Sequence, residues 1–135
     1  MPRLSQWMIR VALFYLMTGL TLGFLMMLAK VQWLSPVLWS LRPIHIECLQ
    51  VGWMFHLALG VAYWIFPRTK RVLRPRSELA WLSFGVMNVG IGLYFGSVLW
   101  LGAGWLLIAR LLEFLALLLF AAHLGPRVKA FSSKA

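Results

Sequence analysis

Aspartate is absent from this chain, acidic residues number 3, and charged residues make up only 12% of the 135 positions. Set against 62% hydrophobic residues, that scarcity excludes a soluble domain, because a chain this short has too much surface for its volume to hide so much apolar area. The one cysteine, Cys48, excludes an intrachain disulfide and a thiolate metal cluster, and reads as a small packing residue. Low-complexity tracts, clear internal repeats and an interdomain linker are also missing. The fold class that remains is all-α: one integral membrane domain built as a four-helix bundle.

What is present supports that class. Apolar runs of membrane length place helices at about 8–29, 43–66, 79–101 and 105–124. The lead MPRLSQWMIR is basic and amphipathic. The apolar run after it exceeds a signal-peptide core and no small-x-small cleavage site follows, so it reads as a retained helix. Thr18, Gly19 and Gly23 give that helix a small face for close packing, and Trp33 and Trp39 mark a headgroup boundary. Pro43 starts the second run and Pro67 stops it. The GAG turn at 102–104 makes helices three and four antiparallel neighbours, and Gly125 with Pro126 ends the fourth.

The net charge of +10 sits in the connections, where it speaks for topology and anionic lipid headgroups rather than nucleic acid. With the N-terminus inside, the inner face holds Arg3, Arg10, Arg68, Lys70, Arg71, Arg74, Arg76, Arg127, Lys129 and Lys134, and the outer face keeps Lys30 and Arg42. That asymmetry predicts both termini in the cytoplasm of a bacterial or archaeal inner membrane.

The stretch RPIHIECLQVGWMFHLALGVAYWIFPR, residues 42–68, carries the chemistry. Ionisable groups in hydrocarbon are costly and therefore mark candidate sites. On a regular helix His45, Leu49, Gly52, His56, Gly60 and Tyr63 fall in a stripe about 80° wide, with the two imidazoles roughly 16 Å apart. Gly52 and Gly60 would leave bare surface beside them, the combination a flat macrocycle needs: an imidazole for the iron and missing side chains where the ring lies. Glu47, two residues from His45, points about 160° away from it. Helix four offers Arg110 and Glu113, three apart and able to pair. Alternatively Glu113 reaches the far nitrogen of His56, or Arg110 meets an anionic ligand group such as a heme propionate. Arg42 suits a propionate or a snorkelling helix end. Gly85, Gly92 and Gly96 form a small-residue seam with Asn88 beside it, read as an interhelical hydrogen-bonding residue. His123 reads as interfacial, near a helix C-terminus.

The pattern R-P-x-H at 42–45, G-W at 52–53, G-x-A-Y at 60–63 and P-R at 67–68 resembles the second transmembrane helix of the catalytic subunit of heme-copper oxidases. It is most similar to the branch of C-type oxidases and nitric oxide reductases, and to small stand-alone proteins related to that subunit. The resemblance implies that His45 is an axial ligand of a b-type heme near the outer face. The family's second axial ligand and its three copper-binding histidines come from later helices with no counterpart here. Independent oxygen or nitric oxide turnover is therefore not expected.

The expectation is a b-type heme protein serving electron transfer or the handling of heme or diatomic gases. A homo-oligomer, with a dimer as the economical case, would supply a second His45 or His56 to the iron. Respiratory-chain proteins are expected partners. Two readings stand beside it: a cofactor-free accessory subunit of a respiratory complex, and a copper or zinc site at the outer face built from His45, Glu47 and symmetry copies.

Overall fold

A computed structural model describes residues 1–65 and 77–125. Four of its helices are long and apolar enough to cross a bilayer: α1 (Arg3–Lys30), α2 (Pro36–Ile65), α3 (Ser77–Leu101) and α4 (Gly104–Leu124). At about 1.5 Å per residue even the shortest, α4 with 21 residues, matches a hydrocarbon core of roughly 30 Å. Pro67, the basic connection from Arg68 to Arg76, and the segment from Pro126 onward lie outside the described residues.

The helix ends have local causes. α1 closes on Gln32, whose φ of 63° is the left-handed conformation that usually selects glycine. The Gln32 amide donates to Ala29 O at 3.2 Å and the Trp33 amide to Leu28 O at 3.1 Å, so two end carbonyls are satisfied. α2 starts earlier than Pro43, because the Ser35 hydroxyl accepts from the Val37 amide and a 3-10 turn, Pro36–Leu41, runs straight into Arg42. Arg42–Glu47 is α-helical, Cys48–Phe55 is π-helical, and His56–Ile65 is α-helical again. Between α3 and α4 the chain reverses at Gly102, with φ of 83°, so only glycine fits that turn without strain.

Burial joins all four helices at one end, where Leu4 and Met8 of α1 pack with Tyr63, Ala80 and Phe120. The start of α1 and the end of α4 therefore share one end of the bundle. Towards the middle a second core holds Val51, Met87, Ile91 and Ala116, with Tyr15 packed against it. Lipid is as apolar as leucine and does not drive helices together, so close approach and hydrogen bonds carry the packing. Ser5 Oγ donates to Gly60 O, and Ser83 Oγ to Ala116 O, both at 2.6 Å and both buried.

The outer surface is greasy, with Phe14, Met17, Leu107 and Phe114 all more than half exposed. Seven of the eight tryptophans are exposed and fall into two groups: Trp7, Trp64 and Trp81 at the end holding the start of α1 and the end of α4, and Trp33, Trp39, Trp100 and Trp105 at the other. Two aromatic belts are what a bilayer with two interfaces selects.

The small residues do not all face as the sequence suggested. Gly19 receives Leu49 and Cys48 of α2, as the small face of α1 predicts. Among the described residues the seam on α3 is not where α4 approaches: nothing lies within 4 Å of a Cβ built on Gly85 or Gly92, and that of Gly96 meets only Leu101. The close approach of α3 to α4 is made at Gly90, where a Cβ would sit 2.9 Å from Glu113 Cγ and 3.2 Å from Ala109 O.

Candidate functional site

α2 sends its polar side chains to three different neighbours. In the α-helical turn Arg42–Glu47, His45 faces α1: its Nδ1 lies 2.8 Å from Gly19 O. A carbonyl only accepts, so Nδ1 carries the proton and Nε2 carries the lone pair. The ring lies on the bare backbone of Gly23, where a Cβ would stand 2.8 Å from His45 Cε1. Among the described residues Nε2 has no hydrogen-bond partner. His45 borders an open-sided cleft of about 370 Å³, at the low end of ligand-pocket sizes. Its walls are apolar at Met26, Met27, Trp39 and Ile46, and cationic at Lys30 and Arg42.

His56 does not share that surroundings. Through the π-helical stretch Cys48–Phe55 the stripe of His45, Leu49, Gly52 and Gly60 still follows α1, and the His56 ring packs beside that of Tyr15 with centroids 5.8 Å apart, but its nitrogens find other partners. The same stretch leaves Val51 O within 3.3 Å of His56 Nδ1. On the other side Asn88 Nδ2 donates to His56 Nε2 at 3.1 Å, and Tyr15 Oη donates to Asn88 Oδ1 at 3.2 Å. The imidazole is buried with both nitrogens engaged, so an iron or metal ion at His56 would have to displace Asn88. Asn88, not Glu113, meets its far nitrogen.

The bare patch expected at Gly52 and Gly60 is filled by α1, which corrects their assignment to a macrocycle face. A Cβ on Gly52 would stand 2.5 Å from Tyr15 Cγ, and one on Gly60 would stand 2.9 Å from Met8 Cβ. These glycines let α1 and α2 touch.

Glu47 leaves the helix on the side away from His45. Its Oε2 is 2.7 Å from Arg110 Nη2, while Arg110 Nη1 donates to Glu113 Oε2 at 2.6 Å. The guanidinium carbon lies 4.1 Å from the centre of the Tyr94 ring. Both carboxylates are buried, with relative side-chain exposures of 2% and 8%, whereas Arg110 is 42% exposed. Glu47 Oε1 and Glu113 Oε1 are buried without a hydrogen-bond partner. The Arg110–Glu113 pair was legible from its spacing, but Glu47 as the third member was not, since nothing local in α2 names a partner on α4. One correction follows: Arg110 is committed to carboxylates and does not border the His45 cleft. His45 and Glu47 diverge, as their spacing predicts. Among the described residues no group of three or more His, Cys, Asp or Glu side chains is placed to hold a metal ion.

No family model matches the chain, and no curated protein or solved structure matches it either. The likeness to heme-copper oxidases therefore rests on the sequence pattern at 42–68, with a weaker likeness across the four spans.

Proposed function

We propose that the chain is a membrane protein that binds a b-type heme through His45. The observation that carries this reading is the posture of that imidazole. Its Nδ1–H is held by Gly19 O at 2.8 Å, and its Nε2 lone pair is left without a protein partner at an apolar cleft bordered by Lys30 and Arg42. Histidines that bind metal are oriented in this way, with the second nitrogen donating to a carbonyl so that ring and tautomer are fixed. The donor set fits a heme: neutral imidazole for iron, two cations for propionates, and thioether and aromatic side chains for the ring.

When bound, the heme would supply one-electron chemistry and an iron able to take a further ligand. The residues of the chain bind, orient and shield. Gly23 admits the ring of His45 against α1, Gly19 O fixes its proton, Met26, Met27 and Trp39 exclude water, and Lys30 and Arg42 balance acidic groups. The cleft is open on one side, which suits a homo-oligomer in which a second copy covers what this chain leaves bare. The role is electron transfer or heme and gas handling, with no turnover of its own. The distribution of Lys and Arg supports cytoplasmic termini in a bacterial or archaeal inner membrane.

The test is the absorption spectrum of protein purified from heme-replete cells, oxidised and reduced, beside His45→Ala. The expected result is a Soret band with sharp reduced α and β bands in the parent, lost in a variant that still inserts. A colourless parent overturns the assignment and leaves the cofactor-free accessory subunit as the reading; full heme in the variant removes His45 as the ligand.

A further inference from the structure

The turn that carries His45 is weakly held by its own backbone. Arg42–Glu47 is six residues long, is entered from a 3-10 turn and is left through a π-helical stretch, neither of which has the hydrogen-bond geometry of a regular α-helix. Pro43 supplies no amide to it. The buried side chains of Ile44 and Cys48 seat the turn in the bundle, and two polar contacts fix its rotation.

Those two contacts lie on opposite sides. His45 Nδ1 donates to Gly19 O on α1 at 2.8 Å, and Glu47 Oε2 meets Arg110 Nη2 on α4 at 2.7 Å. The turn is strung between two helices, so a rotation that slackens one contact pulls on the other. The α4 end is the firmer. Arg110 also donates to Glu113 Oε2 at 2.6 Å, and its guanidinium carbon stands 4.1 Å from the centre of the Tyr94 ring on α3. A planar guanidinium held on three sides is a rigid anchor, whereas His45 rests on one carbonyl and the bare backbone of Gly23.

We propose that Glu47, anchored by Arg110, is a positioning residue for His45. The ion pair fixes the rotation of the Arg42–Glu47 turn and so keeps the imidazole seated on α1 with its Nε2 bare at the cleft. A buried ion pair is often no more stabilising than apolar side chains of the same size, so stability alone does not account for a glutamate reaching across to α4. Fixing one arrangement of its neighbour does. The consequence for heme rests on the reading above, whereas the seat of the imidazole can be measured without heme.

The test uses the full-length protein in detergent micelles, with histidine rings labelled with nitrogen-15 and His45→Ala to assign the signals. At mildly alkaline pH, where imidazole is neutral, the heme-free parent should show His45 locked as the Nδ1–H tautomer. Glu47→Leu and Glu113→Leu each leave one carboxylate matched to Arg110, so both remain charge-balanced. With helical circular dichroism intact, Glu47→Leu should give a mixture of tautomers at His45, while Glu113→Leu should keep the lock. Glu47→Gln keeps an oxygen for Arg110 and should restore it; Glu47→Ala serves in place of the leucine variant if that one does not fold. In the heme-loaded protein Glu47→Leu should bind heme about 10- to 100-fold more weakly, the range for losing a group that orients a metal ligand. An unlocked parent, a lock retained in Glu47→Leu, an equal loss in Glu113→Leu, or no rescue by Glu47→Gln overturns the proposal, as does unchanged heme affinity in Glu47→Leu. A colourless parent overturns heme binding alone, and the nitrogen signals still decide the role of Glu47.

Discussion

Gly52→Ala separates the two roles that its position allows. A Cβ there would stand 2.5 Å from Tyr15 Cγ and 2.8 Å from Tyr15 Cβ and Cδ1, the root of the ring and not its flexible tip. Carbon atoms rest about 3.5–4.0 Å apart, so α1 and α2 must separate by roughly 1 Å or the tyrosine must swing. Swinging is resisted by its hydroxyl, which is bonded to Asn88 at 3.2 Å. Overpacking of this kind costs about 1–3 kcal/mol, and removing a glycine from a helix returns at most about 1 kcal/mol. The net is a loss of about 1–2 kcal/mol, a roughly 5- to 30-fold fall in the folded-to-unfolded ratio. Reversible unfolding in mixed micelles, titrated with an anionic detergent, measures it. Gly85→Ala is the control, since nothing lies within 4 Å of its Cβ, and should be neutral or slightly stabilising. In a Tyr15→Ala background the Gly52→Ala penalty should vanish, a coupling of the size contacting residues show. Equal stability of the Gly52 and Gly85 variants, or an undiminished penalty without Tyr15, would refute the packing. If Gly52 instead lay against a macrocycle, the substitution would strip heme and spare stability.

Asn88→Ala removes the donor to His56 Nε2 and the acceptor of the Tyr15 hydroxyl, two interhelical bonds of 3.1 and 3.2 Å. Such bonds in membranes average about 0.6 kcal/mol, so the same unfolding assay should read a loss of about 1–2 kcal/mol, and an unchanged midpoint would contradict the network. For orientation, Ser77 starts α3 at the end that holds the start of α1, and the native Cys48 is fully buried. A Ser77→Cys thiol should resist a membrane-impermeant maleimide in intact cells and react once they are opened; labelling of intact cells would reverse the topology.

The four spans were legible because apolar length is a strong signal, and the observed helices overlap each expected run. The boundaries moved where a cue was local and unusual. α1 ends on a left-handed Gln32 with no glycine to announce it, and α2 gains a 3-10 turn from the Ser35 cap. His45 was picked out correctly as a group apart from Glu47, since both lie on one α-helical turn and period 3.6 holds there. The stripe from His45 through Leu49, Gly52 and Gly60 does lie along α1, but His56 turns its Nε2 to Asn88 on α3, a partner that spacing within α2 does not name. The glycines misled for a related reason: a glycine states that something comes close, not what. At Gly52 it was a tyrosine, at Gly60 a methionine, at Gly90 a glutamate, and at Gly85 nothing.

The polar inventory of a membrane bundle can be read as a set of pairings, because each polar group must be satisfied by protein where water is absent. Here Ser5 is met by Gly60 O, Ser83 by Ala116 O, Tyr15 and His56 by Asn88, and Arg110 by two glutamates. Those pairings fix which helices are neighbours and need no ligand to explain them. His56 belongs with them, which is why its imidazole drops out of the site although the sequence ranks it beside His45. The informative atoms are those left over after pairing: Nε2 of His45 at a cationic cleft, and Oε1 of Glu47 and of Glu113 beneath Arg110. The first is a neutral lone pair suited to a metal centre, and the other two are buried carboxylate oxygens without a hydrogen-bond partner. His45 and Glu47 leave the same helical turn in opposite directions. A single segment of α2 therefore holds both positions, and a shift of that turn would alter both at once.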